Sequence, residues 1–245
     1  MRCILNSIDE IIIEQLAIDM NCEKSDLNSG NIVYTLEKEN GNQRKFIRRS
    51  PYVEMILIND SLIINGEENY LELIRESVNI SRPEDILKQD FIKSHSINFS
   101  PSMDFIKTDL LEEYEYLVYK EEIARLYVNK GFENALQYDE NKPNKEIIAI
   151  VAKDGDKIIG IAGATADSEI LWQIGIDVIS EYRFKGIGSS LVNRLASIIL
   201  DMGKVPYYAA EANNIASLKT AINAGFTEKW KAIFGMYIDF RKLIK

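Results

Sequence analysis

Arg183, Lys185, Gly186 and Gly188 lie inside "IDVISEYRFKGIGSSLV", residues 176–192, where a strand-like apolar run breaks and a helical pattern begins. Residues of these types at this spacing bind anions. A strand that ends in a glycine-rich turn and resumes as a helix leaves backbone N–H groups unpaired at the positive end of the helix dipole. Gly186 and Gly188 let the backbone approach a bulky anion with no Cβ in the way, and Arg183 and Lys185 add charge at the rim. The spacing narrows the anion. A dinucleotide fingerprint needs a third small residue where Leu191 stands, and an NTPase phosphate loop needs Gly-Lys followed by Ser or Thr, which this chain lacks. The bare Gly-x-Gly is explained equally well by a tight strand-to-helix turn without a ligand.

Other chemistries find little support. Cys3, Cys22 and the single histidine, His95, cannot furnish a zinc set, a disulfide framework or a Ser/Cys-His pair, so no metal site is expected. His95, in "DFIKSHSINFS", reads as a surface or linker histidine, and Cys22, in "MNCEKSD", as a small half-buried residue rather than a nucleophile. A formal charge of -9 argues against nucleic acid as a partner. The one basic cluster, "QRKFIRR" at residues 43–49, follows a Gly-Asn turn and reads as a solvated hairpin edge. No apolar run approaches the roughly 20 residues of a membrane span, and the N-terminal apolar stretch is interrupted by Asp9, Glu10 and Glu14, so the expectation is no membrane, no signal peptide and a cytoplasmic location.

The elements that must position the glycine turn fall into two patterns. Ser7 and Glu10 have capping-box spacing ahead of Ile12, Leu16 and Met20 at helical intervals. Two hairpins are expected next, in "NIVYTLEKENGNQRKFI" and "YVEMILINDSLIING", followed by a helix carrying Tyr70, Ile74 and Val78. Residues 81–102 lose all period and read as a boundary, giving a small α+β domain at 1–100 whose role the sequence does not assign, though it is a candidate surface for homodimer formation. A long helix is expected from Leu110 to Tyr127. From Glu146 the pattern changes to buried strands: "EIIAIVAKDGDKIIGIAGAT" is a hairpin about Asp-Gly-Asp, and "EILWQIGIDV" is the strand that feeds the glycine turn. The helix after it runs to about Met202, with Leu191, Leu195, Ile198 and Ile199 on one face and Gly203 as its stop. Then come a strand from Pro206 to Ala210, a helix capped by Asn214 and stopped by Gly225, and a strand-like end, "KAIFGMYIDF". The fold class is α/β (α+β), with a mixed central sheet flanked by helices.

Arg183-x-x-Gly186-x-Gly188, between a strand ending "IDV" and a helix, resembles the pyrophosphate loop of the GCN5-related N-acetyltransferases. Downstream, "NIASLKTAINAGF" resembles that family's second segment, an Asn-capped helix ending in Gly-Phe. The resemblance covers residues 104 to 245. It implies an acetyltransferase that moves the acetyl group of acetyl-CoA to an amine, on a small molecule or a peptide, by direct attack. It also implies a sheet whose fourth and fifth strands splay to admit the cosubstrate. Carried over, Ile176, Asp177 and Val178 line the acetyl and pantetheine arm, Arg183, Phe184, Lys185, Gly186, Ile187, Gly188 and Ser189 cradle the pyrophosphate, and Asn214 and Ser217 meet the pantetheine. Phe184 replaces a common glycine, a change expected to be harmless because only its N–H is used.

Two departures stand out against the family pattern. The helical tyrosine that protonates the leaving thiolate in many members is replaced by Ala221, and the glutamate base of others by Trp172. Glu211, Asp177 and Tyr207 or Tyr208 are the candidates left for proton transfer. Each has a bland counterpart: a solvated carboxylate for Glu211, a turn anchor for Asp177, a core side chain for one tyrosine. A catalytically weak CoA-binding module is the alternative function. Positioning can supply about 7 to 11 kcal/mol of a barrier against roughly 10²- to 10⁴-fold from an acid or base, so the missing groups do not exclude turnover.

Overall fold

The structure, a computed structural model, describes residues 2–45, 50–139, 141–142 and 144–243. In chain order its elements are α1 (Arg2–Leu5), α2 (Ile8–Asp19), β1 (Ile32–Leu36), β2 (Val53–Ile58), β3 (Ser61–Gly66), α3 (Glu68–Ser77), β4 (Ser96–Pro101), β5 (Glu115–Tyr119), β6 (Glu146–Asp154), β7 (Lys157–Ala166), β8 (Leu171–Val178), α4 (Ile187–Asp201), β9 (Val205–Glu211), α5 (Ile215–Asn223) and β10 (Phe226–Phe234), with short 3₁₀ turns between some of them. The chain forms two compact units. One gathers Met1–Ile8, Phe99–Ala209 and Ala216–Thr227, and the other Asp9–Asn98, Ala210–Ile215 and Glu228–Lys245. No described helix is long and apolar enough to cross a membrane.

In the first unit the strand order is β9-β8-β7-β6-β5. The β8–β9 pair is parallel and the other three are antiparallel, so the sheet is mixed. The hairpin of β6 and β7 turns at Gly155, whose φ of +56° only glycine adopts freely. α4 lays Ile187, Leu191, Leu195 and Ile199 onto the sheet, all at most 1% exposed. Close approach is possible because Gly160 of β7 has no side chain: a Cβ there would stand 3.1 Å from Leu191 and 3.3 Å from Ile187. Gly203, at φ +74°, ends the helix as the sequence predicts. α4 also carries a buried asparagine. Asn193 donates to the carbonyls of Ile106 and Ala224 and accepts from the N–H and hydroxyl of Thr108. Nearby, Ser102 N–H bonds Gly225 O, and the rings of Phe105 and Phe226 meet edge to face at 6.1 Å.

The expected helix from Leu110 to Tyr127 does not form. Residues 115–119, "EYLVY", make β5, which pairs with β6, and Ile123–Val128 is a 3₁₀ turn. Leu110, Tyr114, Leu117 and Val118 have helical spacing, but the aromatic and β-branched run fits a pleated strand better, and the free edge of β6 supplies its hydrogen-bond partners.

The second unit has strand order β1-β3-β2-β10. β2 and β3 form the expected hairpin, with Asn59 and Asp60 both at positive φ, +47° and +61°. The other expected hairpin does not form among the described residues, its residues 46–47 lying outside them: β1 pairs parallel to β3, and the Asn65 amide bonds Met20 O, Leu36 O and Thr35 to hold that pairing. Gln43 and Arg44, expected on a solvated edge, are buried at 7% and 4% exposure. Arg44 pairs with Asp19 and stands 3.7 Å from Glu54, so two inward-facing carboxylates draw the guanidinium into the interior. Residues 46–49 of that basic stretch lie outside the described residues. Part of the expected boundary stretch is ordered as well, since Pro83–Lys88 is a 3₁₀ turn and Ser96–Pro101 is β4.

Candidate functional site

The parallel ladder between β8 and β9 runs from Leu171↔Val205 to Gln173↔Tyr207 and then stops. β8 continues to Val178, and among the described residues its last five positions pair with β7 alone. This is the divergence expected between the fourth and fifth strands, and it opens toward the carboxyl ends, where α/β sheets bind ligands.

Beyond Val178 the chain makes a 3₁₀ turn, Ser180–Tyr182, and reaches α4 through residues 183–186. The N–H groups of Tyr182 and Arg183 are used within the turn. Those of Phe184, Lys185, Gly186, Ile187 and Gly188 have no partner among the described residues, and they precede or begin a fifteen-residue helix. Bare donors at the positive end of a helix are what a phosphate requires. Gly186 sits at φ +83°, and Ser189 closes the turn through its hydroxyl on Gly186 O at 3.0 Å.

The φ of Gly188 is ordinary, and a Cβ there would stand at ordinary contact distances, 3.6 Å from Val178, 3.7 Å from Thr220 and 3.8 Å from Ile176. Phe184 differs from expectation: it adopts φ +64° with its ring 95% exposed, a conformation that costs a non-glycine residue about 1–2 kcal/mol. Its replacement of glycine is therefore not free.

Arg183 donates its Nε to Val178 O at 2.9 Å, tying the strand end to the loop and engaging one of the backbone groups assigned to the pantetheine arm. Lys185 lies over the ring of Tyr182, 4.8 Å from its centroid, and Tyr182 in turn donates to Asp154 at 2.7 Å. Lys157 approaches the same ring at 5.5 Å. The positive charge beside the loop is thus seated on an anchored aromatic.

The proton-transfer candidates are distributed as follows. Both oxygens of Asp177 accept hydrogen bonds, from Asn134 N–H at 2.7 Å, the Asn134 amide at 2.6 Å and Ala135 N–H at 3.0 Å, the arrangement of a turn anchor. Tyr207 is a core residue whose hydroxyl donates to the buried Asp167. Tyr208, 3% exposed, donates to Ser217 Oγ at 3.2 Å. Burial pushes its phenol above the usual range, the bond to Ser217 opposes this, and Asp177 adds to it, so Tyr208 keeps its proton at neutral pH. Glu211 ends β9, exposed, and accepts from Tyr237 at 2.9 Å; burial and this carboxylate push the Tyr237 phenol up to about 12. Asn214 directly precedes α5, its N–H bonded to Glu211 O. Ala221 and Trp172 are buried and carry no titratable group. Cys22 is half-buried, and burial with Asp26 and Glu23 pushes its thiol up to about 12. Burial and Lys231 hold His95, itself half-buried, below its ordinary range. Among the described residues no group of three or more His, Cys, Asp and Glu side chains could hold a metal.

One feature went unread in the sequence. Gly163 and Gly175 stand directly opposite each other on β7 and β8, and the Asn134–Ala135 peptide lies on them. A Cβ at Gly175 would fall 1.8 Å from Asn134 O, and one at Gly163 2.1 Å from Ala135 O. A lone glycine inside a strand pattern signals this kind of close approach.

The model of the acetyltransferase (GNAT) family matches residues 104–226, from just before Phe105 through the glycine loop to Phe226. The chain belongs to the GNAT acetyltransferase family. Similar solved structures include a GNAT-family acetyltransferase from Colwellia psychrerythraea (16% identity, TM-score 0.49, covering 75% of this chain and 65% of that one). Another is a GCN5-related N-acetyltransferase-like protein from Streptococcus suis (15% identity, TM-score 0.48, covering 79% and 88%). A third GNAT-family protein, from Novosphingobium aromaticivorans, matches at 14% identity and TM-score 0.43 over 58% of this chain and 63% of that one. The chain thus spans slightly under two thirds of the length of two of these relatives. No curated protein matches it.

Proposed function

We propose that this GNAT-family chain transfers the acetyl group of acetyl-CoA to the amine of a small molecule or peptide by direct attack. The observation that carries the reading is the row of unpartnered N–H groups from Phe184 to Gly188, set at the start of α4 where β8 has lost its β9 partner. The pyrophosphate would lie on these donors, with Arg183 and Lys185 at its rim, and the pantetheine arm would follow the unpaired edge of β8. The acetyl oxygen would be polarised by a backbone N–H near Val178. Bringing amine and thioester together is the larger part of the rate enhancement, and the acidic chain suits a cationic acceptor. A CoA-binding module with little turnover is the second reading, favoured by the lack of a titratable group at the buried Ala221 and Trp172.

Isothermal titration with acetyl-CoA tests the proposal. The wild type should bind, Gly188→Ala should bind within about threefold because its Cβ meets only ordinary contacts, and Gly188→Glu, checked for an unchanged melting curve, should lose at least about a hundredfold. Failure of the wild type to bind would refute the reading. Binding without thioester consumption across an amine panel would select the module.

A further inference from the structure

We infer that Asn134 receives an N–H of the incoming amine and that the acceptor is a primary amine with no carboxylate beside it, an inference that rests on the acetyl-transfer reading above. Ile179 donates to Ile159 O, so by the alternation of an antiparallel ladder Val178 turns its own N–H away from β7 and toward the fork. A thioester lying along this edge, its oxygen on that N–H, can be attacked from either face of the sheet. One face is closed: a Cβ at Gly188 of α4 would stand within 3.8 Å of Val178, of Ile176 and of Thr220 on α5. Side chains alternate along a strand, so Asp177, next to Val178, points to the other face. There it holds the turn at Asn134 and Ala135 through hydrogen bonds of 2.7, 2.6 and 3.0 Å.

Within that turn Ala135 is buried and Asn134 is exposed. The orientation of the Asn134 amide is dictated by its partner. A carboxylate only accepts, so the amide turns its NH₂ to Asp177, and Oδ1 faces away with no donor among the described residues. All three donors to Asp177 are neutral, and among the described residues it has no ion pair, so its charge is left standing behind the amide. That charge strengthens Oδ1 as an acceptor and repels an anion. A primary amine suits this place. It offers its lone pair to the acetyl carbon, one N–H to Asn134 Oδ1 and a second N–H for water to take, whereas a carboxylate on the neighbouring carbon meets the field of Asp177. In the step the C–N bond forms, the C–S bond breaks, CoA leaves as the thiolate and the amine proton goes to water; Asn134 and Asp177 exchange none.

The test uses the full chain, acetyl-CoA and three matched pairs of acceptors, tyramine with tyrosine, agmatine with arginine and isobutylamine with valine, read by release of the CoA thiol. The wild type should favour the amine of each pair by at least about tenfold in kcat/KM. Asn134→Ala, which keeps both backbone N–H groups on Asp177, should raise the KM for the amine about tenfold and bind acetyl-CoA within about threefold of the wild type. Equal rates within the pairs, or an unchanged KM in the variant, overturn the inference and leave acetyl transfer standing. So does a more than tenfold loss of acetyl-CoA affinity in the variant, which would assign Asn134 to holding the cosubstrate or the fold. Where the variant's melting curve is altered, the pairs in the wild type decide by themselves. No thiol release with any amine overturns the inference and selects the CoA-binding module, and a wild type that binds no acetyl-CoA refutes the reading on which the inference rests.

Discussion

Two sets of glycines in the first unit use bare backbone in opposite ways. At Gly163 and Gly175 the missing side chains are filled by the protein itself: the Asn134–Ala135 peptide rests on them, and Asp177 takes up the N–H groups of that turn. At Gly186 the exposed N–H groups of the following helix are left unsatisfied. Glycine beside a strand is therefore no sign of a ligand in itself. At 183–188 the chain supplies no partner, among the described residues, for the N–H groups oriented at the start of α4, and it is there that the proposed pyrophosphate site lies.

The sharpest way to break this comparison is Gly175→Ala. With the new methyl 1.8 Å from Asn134 O, the turn must lift from the sheet, and stability should fall by about 3 kcal/mol in urea unfolding. A near-neutral result would show that the turn is not seated there. Asp177→Ala, which removes the acceptor from Asn134 and Ala135 but keeps the glycines, should cost about 2 kcal/mol by the same measurement, and a proton inventory of turnover should be unchanged if Asp177 is only an anchor. On the other side of the comparison, Phe184→Gly relieves a left-handed aromatic and should raise stability by about 1 kcal/mol while acetyl-CoA affinity stays within about threefold. A weaker variant would mean that the exposed ring has a role the backbone alone does not explain.

Much of the first unit was legible in the sequence because local chemistry decides it. Asp-Gly-Asp sets the β6–β7 turn, Gly186 the loop and Gly203 the end of α4, and each acts within a few residues of itself. The failures are long-range. "EYLVY" became a strand because β6 offers an edge, Arg44 went inside because Asp19 and Glu54 await it, and β1 joined β3 rather than its sequence neighbour. The same holds within the site. The loop could be read from spacing, whereas Asp177 as an anchor, and Tyr208 joined to Ser217, depend on segments that meet only in the folded chain.

The buried Asn193 has a consequence for how such a unit can be moved between proteins. Through one side chain it joins the backbone at residues 106–108 to that at Ala224, and Ser102 and Gly225 are bonded to each other alongside. The stretch between these points therefore leaves the fold where it enters it. Neighbouring ends of this kind are the geometry that insertion into a host loop and circular permutation call for.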